Sequence, residues 1–172
     1  MAKLYPEIDE KLAEWIRRQS LFFVATAPAN GGHVNLSPKG PIDSLRIVDG
    51  RTVEYADHIG SGSETAAHIR ENSRVCVMLC AFSGPPRIVR LHGRGELVPT
   101  DDPAEEGVRA VIRVRLDRIS DSCGFGVPLM EFVGARPQRE RWLEQKGPDG
   151  LREYVRERNA RSIDGLPAFA GA

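Results

Sequence analysis

Cysteine is scarce in this chain. The three present, Cys76, Cys80 and Cys123, are odd in number and lack metal-type spacing, which argues against a disulfide framework or a structural zinc site. Neither charge is in surplus, because 24 Lys and Arg balance 24 Asp and Glu. A nucleic-acid surface normally carries a basic excess, so that class of partner is not expected. No apolar run approaches the ~20 residues that span a bilayer. The opening MAKLYPEIDEKLAEWIRR is charged and amphipathic and lacks a signal-peptide core, so the expectation is a cytoplasmic protein without a membrane partner. A triphosphate-binding GxxxxGK[ST] loop is missing, and so is a GxGxxG turn after a parallel strand. What is present is a chain of 172 residues with 41% hydrophobic and 28% charged residues, enough for one domain with its own core.

The pattern reads as mainly β with flanking helices. Ile8, Leu12, Trp15 and Ile16 recur at helical spacing, which predicts a helix over about 7–19. LFFVATAP (21–28) and HVNLSP, joined by ANGG, predict a hairpin. LRIVDGRTVEYA predicts another, with Asp49-Gly50 as its turn. GSGSETAAHIREN reads as a loop opening a helix, with Ser63 as N-cap and an end near Asn72. RVCVMLCAF (74–82) is nearly continuously apolar, so a central strand covered on both faces is expected, with Cys76 and Cys80 as buried thiols on one face. RIVRLHGRGELV (87–98) carries Gly93 and Gly95 inside a strand pattern, the mark of a bulge or bend. Asp101-Asp102-Pro103 predicts a short acidic helix or turn. In the stretch 108–120, Val108, Ala110, Ile112, Val114 and Leu116 alternate, with Ile119 out of phase, and Arg109, Arg113 and Arg115 lie on the other face. The charged stretch of about 137–160 predicts a helix that packs across a partner subunit, and SIDGLPAFAGA reads as a loose tail. Sequential strands with short turns favour an antiparallel barrel over a doubly wound parallel sheet.

Two segments carry the chemistry. In HVNLSPKG (33–40), alternation puts His33, Asn35 and Ser37 on one face, followed by Pro38 and the fixed charge of Lys39. In GSGSET (60–65), Gly60 and Gly62 let backbone N–H groups approach an anion. Ser61, Ser63 and Thr65 add hydroxyls at a helix N-terminus. If the two corners meet, they make a phosphate seat. The arginines at 87, 90, 94, 109, 113, 115 and 118 read mainly as a solvated or ion-paired face, one or two of them free to face a ligand. SCGFGVPLM (122–130) is too apolar for an ordinary surface loop and reads as a cover for a flat aromatic ligand, through Phe125 and Met130.

Taken in order, the opening helix, FFVATAP, GHVNLSPKG, GSGSETAAHIRENSRVCVML and PPRIVRLHGRG resemble the pyridoxamine 5'-phosphate oxidase-like, flavin-binding split-barrel family over roughly residues 5–120. SCGFGVPLM and NARSIDGLP resemble segments of its small uncharacterised members. The resemblance implies a six-stranded antiparallel split β-barrel over 1–135, a C-terminal helical extension of the same domain over 136–172, and a homodimer with FMN at the subunit interface. It implies an FMN-dependent oxidoreductase with a small-molecule substrate it does not name. Carried over by position, Asn35, Ser37, Pro38 and Lys39 run along the flavin and its ribityl chain. Gly60, Ser61, Gly62, Ser63 and Thr65 reach the phosphate, and Cys123, Gly124 and Phe125 come from the second subunit. The chain departs from the oxidase in three places. Ser63-Glu64-Thr65 lacks the usual cation, Ile88 replaces a glutamine, and the oxidase's C-terminal substrate motif of paired Trp and Arg is missing. An F420-dependent reductase using the Arg109–Arg118 face, a non-catalytic flavin or haem carrier, and an interaction module without ligand are the alternatives.

Overall fold

A computed structural model describes residues 3–102 and 107–169 of the protein. The acidic turn expected at Asp101-Asp102-Pro103 runs into 103–106, outside the described residues. A short β1 (Leu4–Tyr5) precedes helix α1 (Glu10–Arg17). Asp9 caps that helix, its Oδ1 accepting the Leu12 N–H at 2.8 Å, so the helix opens three residues later than its apolar spacing suggests. The expected hairpins are present, the second turning at Gly50-Arg51 rather than Asp49-Gly50. β2 (Phe22–Thr26) pairs with β3 (Asn35–Lys39), and β4 (Leu45–Asp49) with β5 (Thr52–His58). Helix α2 (Glu64–Asn72), β6 (Arg74–Cys80), β7 (Ile88–Pro99), β8 (Val108–Ser122) and α3 (Gln138–Arg158) follow, α3 being kinked at Gly147.

All eight strands form one antiparallel sheet in the order β3-β2-β6-β7-β8-β5-β4, with β1 added to β8. The expected six-stranded barrel is thus replaced by an open eight-stranded sheet. The end strands β3 and β4 each have a single ladder partner, so among the described residues no strand ladder closes the ring. The sheet curls instead around inward-facing Phe22, Val24, Tyr55, Val77, Leu79, Leu91, Ile112 and Val114, and Leu12 and Ile16 of α1 join this core. Phe22 and Tyr55 meet edge to face, their ring centroids 5.5 Å apart.

Two further expectations are corrected, for β6 and for the tail, and α3 is found to have contacts within its own chain. β6 is fully covered on its inner face and only in part on its outer one, where Cys76 and Met78 are half-buried and Cys80 is buried. Helix α3 packs on its own chain. Leu151 and Val155 are buried with Ile59, Ala66, Ala67 and Ala110, and each such apolar side chain contributes about 1.5–3 kcal/mol. The tail is docked rather than loose as far as Phe169, the last described residue. Ala168 and Phe169 belong to that second core, and their N–H groups bond the carbonyls of Ala160 and Asn159.

Two register shifts break the alternation of β8. Opposite His92 and Gly93, the register skips Asp117, which explains why Leu116 and Ile119 are both buried. Opposite Asp57 and His58, it skips Arg109. Such bulges bend a strand and re-aim a side chain. The first requires glycine, because a Cβ on Gly93 would stand 2.1 Å from the Arg115 carbonyl oxygen. Both β7 and β8 are internal strands and neither can yield cheaply. Gly93→Ala is therefore expected to cost about 3 kcal/mol or more in chemical denaturation. Gly126→Ala, where nothing lies within 4 Å, should stay within about 0.5 kcal/mol. Equal losses in the two would contradict the close approach at the bulge.

Candidate functional site

The curl of the sheet brings the end of β3 against the end of β5, although the two are first and sixth in strand order. There Lys39 Nζ donates to Asp57 Oδ1 at 2.8 Å, and Arg109 Nε donates to Asp57 Oδ2 at 2.9 Å. The Asp57 side chain is 0% exposed, that of Arg109 4% and that of Lys39 20%. Burial alone would push the Asp57 carboxyl up, but Lys39 and Arg109 outweigh it and hold it below the usual range. One buried carboxylate is thus shared by two cations. Arg109 reaches it because the bulge turns this residue inward, away from the outer face on which strict alternation places it.

Beside this trio lies a cavity of about 240 Å³ lined by Ser37, Pro38, Lys39, Gly60, Gly62 and Thr65, together with His58, Glu64 and Arg109. The two sequence segments therefore do converge. Asn35 joins them. Its Nδ2 donates to Thr65 Oγ1 and to Thr26 Oγ1, both at 3.0 Å, and its Oδ1 accepts from Ser37 Oγ at 2.9 Å. Among the described residues, no backbone hydrogen bond uses the N–H of Gly60, Ser61 or Gly62. Those donors are available to an anion, with α2 opening directly behind them. Ser61 is exposed. Ser63 occupies the N-cap position of α2 as expected, but its side chain neither caps the helix nor lines the cavity. It is buried, makes no side-chain cap bond, and gives its hydroxyl to the Arg161 carbonyl at 2.8 Å. Glu64 adds a carboxylate to the cavity lining, and Arg139 stands behind His58, its Nη2 2.7 Å from His58 Nδ1.

The C-terminal segment braces the loop. Asn159 Nδ2 donates to the Gly60 carbonyl at 2.9 Å, Glu64 Oε1 accepts the Ile163 N–H at 3.2 Å, and the Arg109 guanidinium lies 5.0 Å from the Phe169 ring centroid. His33 leaves the Asn35–Ser37 face to bond Asp164, through its N–H at 2.8 Å and Nδ1 at 2.6 Å.

Cys123 and Phe125 are not brought to this cavity by their own chain. Both are exposed and follow the far end of β8, at the opposite end from Arg109. The arginines elsewhere are largely paired, Arg113 with Glu54 and Glu96, and Arg87 with Asp121.

The sequence reading missed Asp57, His58, Arg139 and Asn159. Asp57 had a signal, since it falls in phase with the inward Val53 and Tyr55, where a carboxylate needs partners. The others depend on the packing of α3 and the tail, which carries no local mark.

A family model described as pyridoxamine 5'-phosphate oxidase matches residues 8–144. The pyridoxamine 5'-phosphate oxidase family protein ustO of Aspergillus flavus is 37% identical over 198 residues, an alignment covering all of this chain and 80% of that protein. The crystal structure of HupZ from Group A Streptococcus is similar with a TM-score of 0.52 at 23% identity, over 65% of this chain and 91% of that one. A conserved hypothetical protein of Mycobacterium tuberculosis gives a TM-score of 0.50 at 18% identity, over 77% and 98%. At those identities the two structures speak to the fold alone.

Proposed function

The chain belongs to the pyridoxamine 5'-phosphate oxidase family, and on that premise we propose that it is an FMN-binding oxidoreductase, acting as a homodimer on a small-molecule substrate. The observation that carries this reading is the meeting of β3 and the 60–65 loop on one polar cavity that holds Lys39 and the inward-turned Arg109. The residues present fit the phosphate end of the cofactor. Hydroxyls of Ser37 and Thr65, the loop N–H groups and two cations border the space, and Arg109 takes the place of the cation missing from Ser63-Glu64-Thr65. Each hydrogen bond to a charged group is worth about 1.5–3 kcal/mol, so a few of them hold an anion without a covalent link. Bound there, FMN would supply hydride or electron transfer at its ring.

The chain's own residues do the positioning. Asn35 fixes Thr65 and Ser37 at the groove wall, and Asp57 keeps Lys39 and Arg109 pointed at one place. The cavity, at about 240 Å³, is below the roughly 300–1,000 Å³ of sites that enclose a whole ligand, which supports a site completed by a second subunit. Exposed Val34 and Leu36 beside the groove, and exposed Phe125, Leu129, Phe132 and Val133 beyond β8, give that subunit apolar surface to cover. On this reading Cys123 and Phe125 reach the partner's cofactor. The F420 alternative loses support from the inward turn of Arg109 and the pairing of Arg113, which leave its basic face thin.

The test is the spectrum of the purified protein, followed by titration of apoprotein with FMN, F420 and haem. FMN should bind with quenched fluorescence. Lys39→Ala should weaken it about 10- to 100-fold, the loss of one charge-assisted contact, while the fold survives because Arg109 still neutralises Asp57. Binding of F420 or haem in place of FMN would overturn the cofactor assignment. Flavin bound without turnover of any acceptor would leave a carrier.

A further inference from the structure

His58 borders the cavity and its Nδ1 lies 2.7 Å from Arg139 Nη2. A guanidinium has donors only. Nδ1 must therefore be the acceptor in that contact, and in a neutral imidazole the proton must then sit on Nε2. We propose that His58 is a phosphate-binding residue, locked by Arg139 as the Nε2–H tautomer so that it presents one neutral donor to a phosphoryl oxygen in the cavity. This rests on the reading of the cavity as a phosphate seat and assigns a residue to it that the loop motif does not contain.

Position explains why the lock is needed. β5 ends at His58, and the loop that cradles the anion begins two residues later. Helix α3 brings Arg139 to the ring from one side, while β3 brings Lys39 and β5 itself brings Asp57 near it. Burial first, then Arg139 and Lys39, push the imidazole below its ordinary value, opposed by Asp57 and the Gly107 carbonyl. A neutral ring held this way offers its donor at neutral pH without adding a charge. Arg139 stays behind it as a cation, its Nη2 also 3.4 Å from the Gly107 carbonyl. The tautomer thus carries the influence of α3 into the cavity.

The experiment has two arms. Nitrogen-15 NMR of histidine-labelled protein reads the tautomer directly. Nδ1 should show the unprotonated shift and Nε2 the protonated one in wild type, and Arg139→Ala should abolish that preference. A protonated Nδ1 in wild type, with the Gly107 carbonyl as its acceptor, would overturn the proposal. The second arm titrates FMN, riboflavin and inorganic phosphate into wild type, His58→Phe and His58→Gln. His58→Phe should weaken FMN and phosphate about tenfold and leave riboflavin unchanged, while glutamine, with an N–H near the same place, should restore most of the affinity. Equal FMN affinity in wild type and His58→Phe would sink the role of His58 and leave the flavin reading standing. Dependence on His58 for inorganic phosphate, with no FMN bound at all, would do the reverse. A wild type that binds neither phosphate nor FMN ends both.

Discussion

Asp57→Ala is expected to destabilise the protein by about 3–5 kcal/mol, the usual loss when one member of a buried ion cluster is removed and its partners remain. For a domain of this size that is a fall in Tm of about 6–20 °C. The reason lies in Arg109 and Lys39, which would be left facing each other in the space the carboxylate vacated, Arg109 with almost no access to water. Asp57→Asn keeps the shape and drops the charge, so it should retain most of the loss. Thermal and denaturant unfolding measure both variants. A loss below about 1 kcal/mol would mean that water reaches the trio. The pH dependence has a definite sign. Because the folded carboxyl is held below its unfolded value of about 3.9, its contribution is complete above that value and is lost as pH falls through the lower, folded one. Wild type should therefore lose stability on acidification below about pH 4–5, by an amount that the alanine variant no longer shows.

Phe169→Ala should affect binding as well as stability and cost about 3 kcal/mol, at the low end for truncating a buried phenylalanine because a segment near the tail relaxes more readily than a central strand. Phe169 is buried against Arg109 and the α3 core. Its loss should also loosen the guanidinium and weaken anion binding, so denaturation and FMN titration should move together. Ile163→Ala, at an exposed position of the same tail, should stay within about 0.5 kcal/mol. If Phe169→Ala behaved like Ile163→Ala in both assays, the tail would not be docked as described.

Features written in short-range chemistry were readable from the chain. The hairpin of β4 and β5, although its turn falls one residue later at Gly50-Arg51, and the span of α2 depend on residues within a few positions of each other. The groups at the two corners, Lys39 and Gly60, Gly62 and Thr65, were legible too, while their meeting in one cavity depends on the curl of the whole sheet. Arg109 was misplaced for a physical reason. Period-2 reasoning assumes an unbroken ladder, and one extra residue in β8 inverts the face of everything on one side of it. Ser63 fits every local rule for a helix cap, yet its hydroxyl goes to Arg161, 98 positions away. The tail looked loose because small residues, glycine and proline dominate it. Its docking depends on two side chains, Ala168 and Phe169, fitting a core that only the assembled α2 and α3 create. Sheet closure belongs to the same class, since no residue in β3 announces whether its outer edge will find a strand.

That outer edge has a consequence for how occupancy and motion are tied. Among the described residues, side chains make the join on this side of β3, Lys39 to Asp57 of β5 and Asn35 to Thr65 of α2. A join of that kind can part without breaking a ladder, so breathing of the molecule should concentrate along this line. A guest bridging both banks would act as a clasp, and its release would be governed by how often the banks separate rather than by the depth of the hollow.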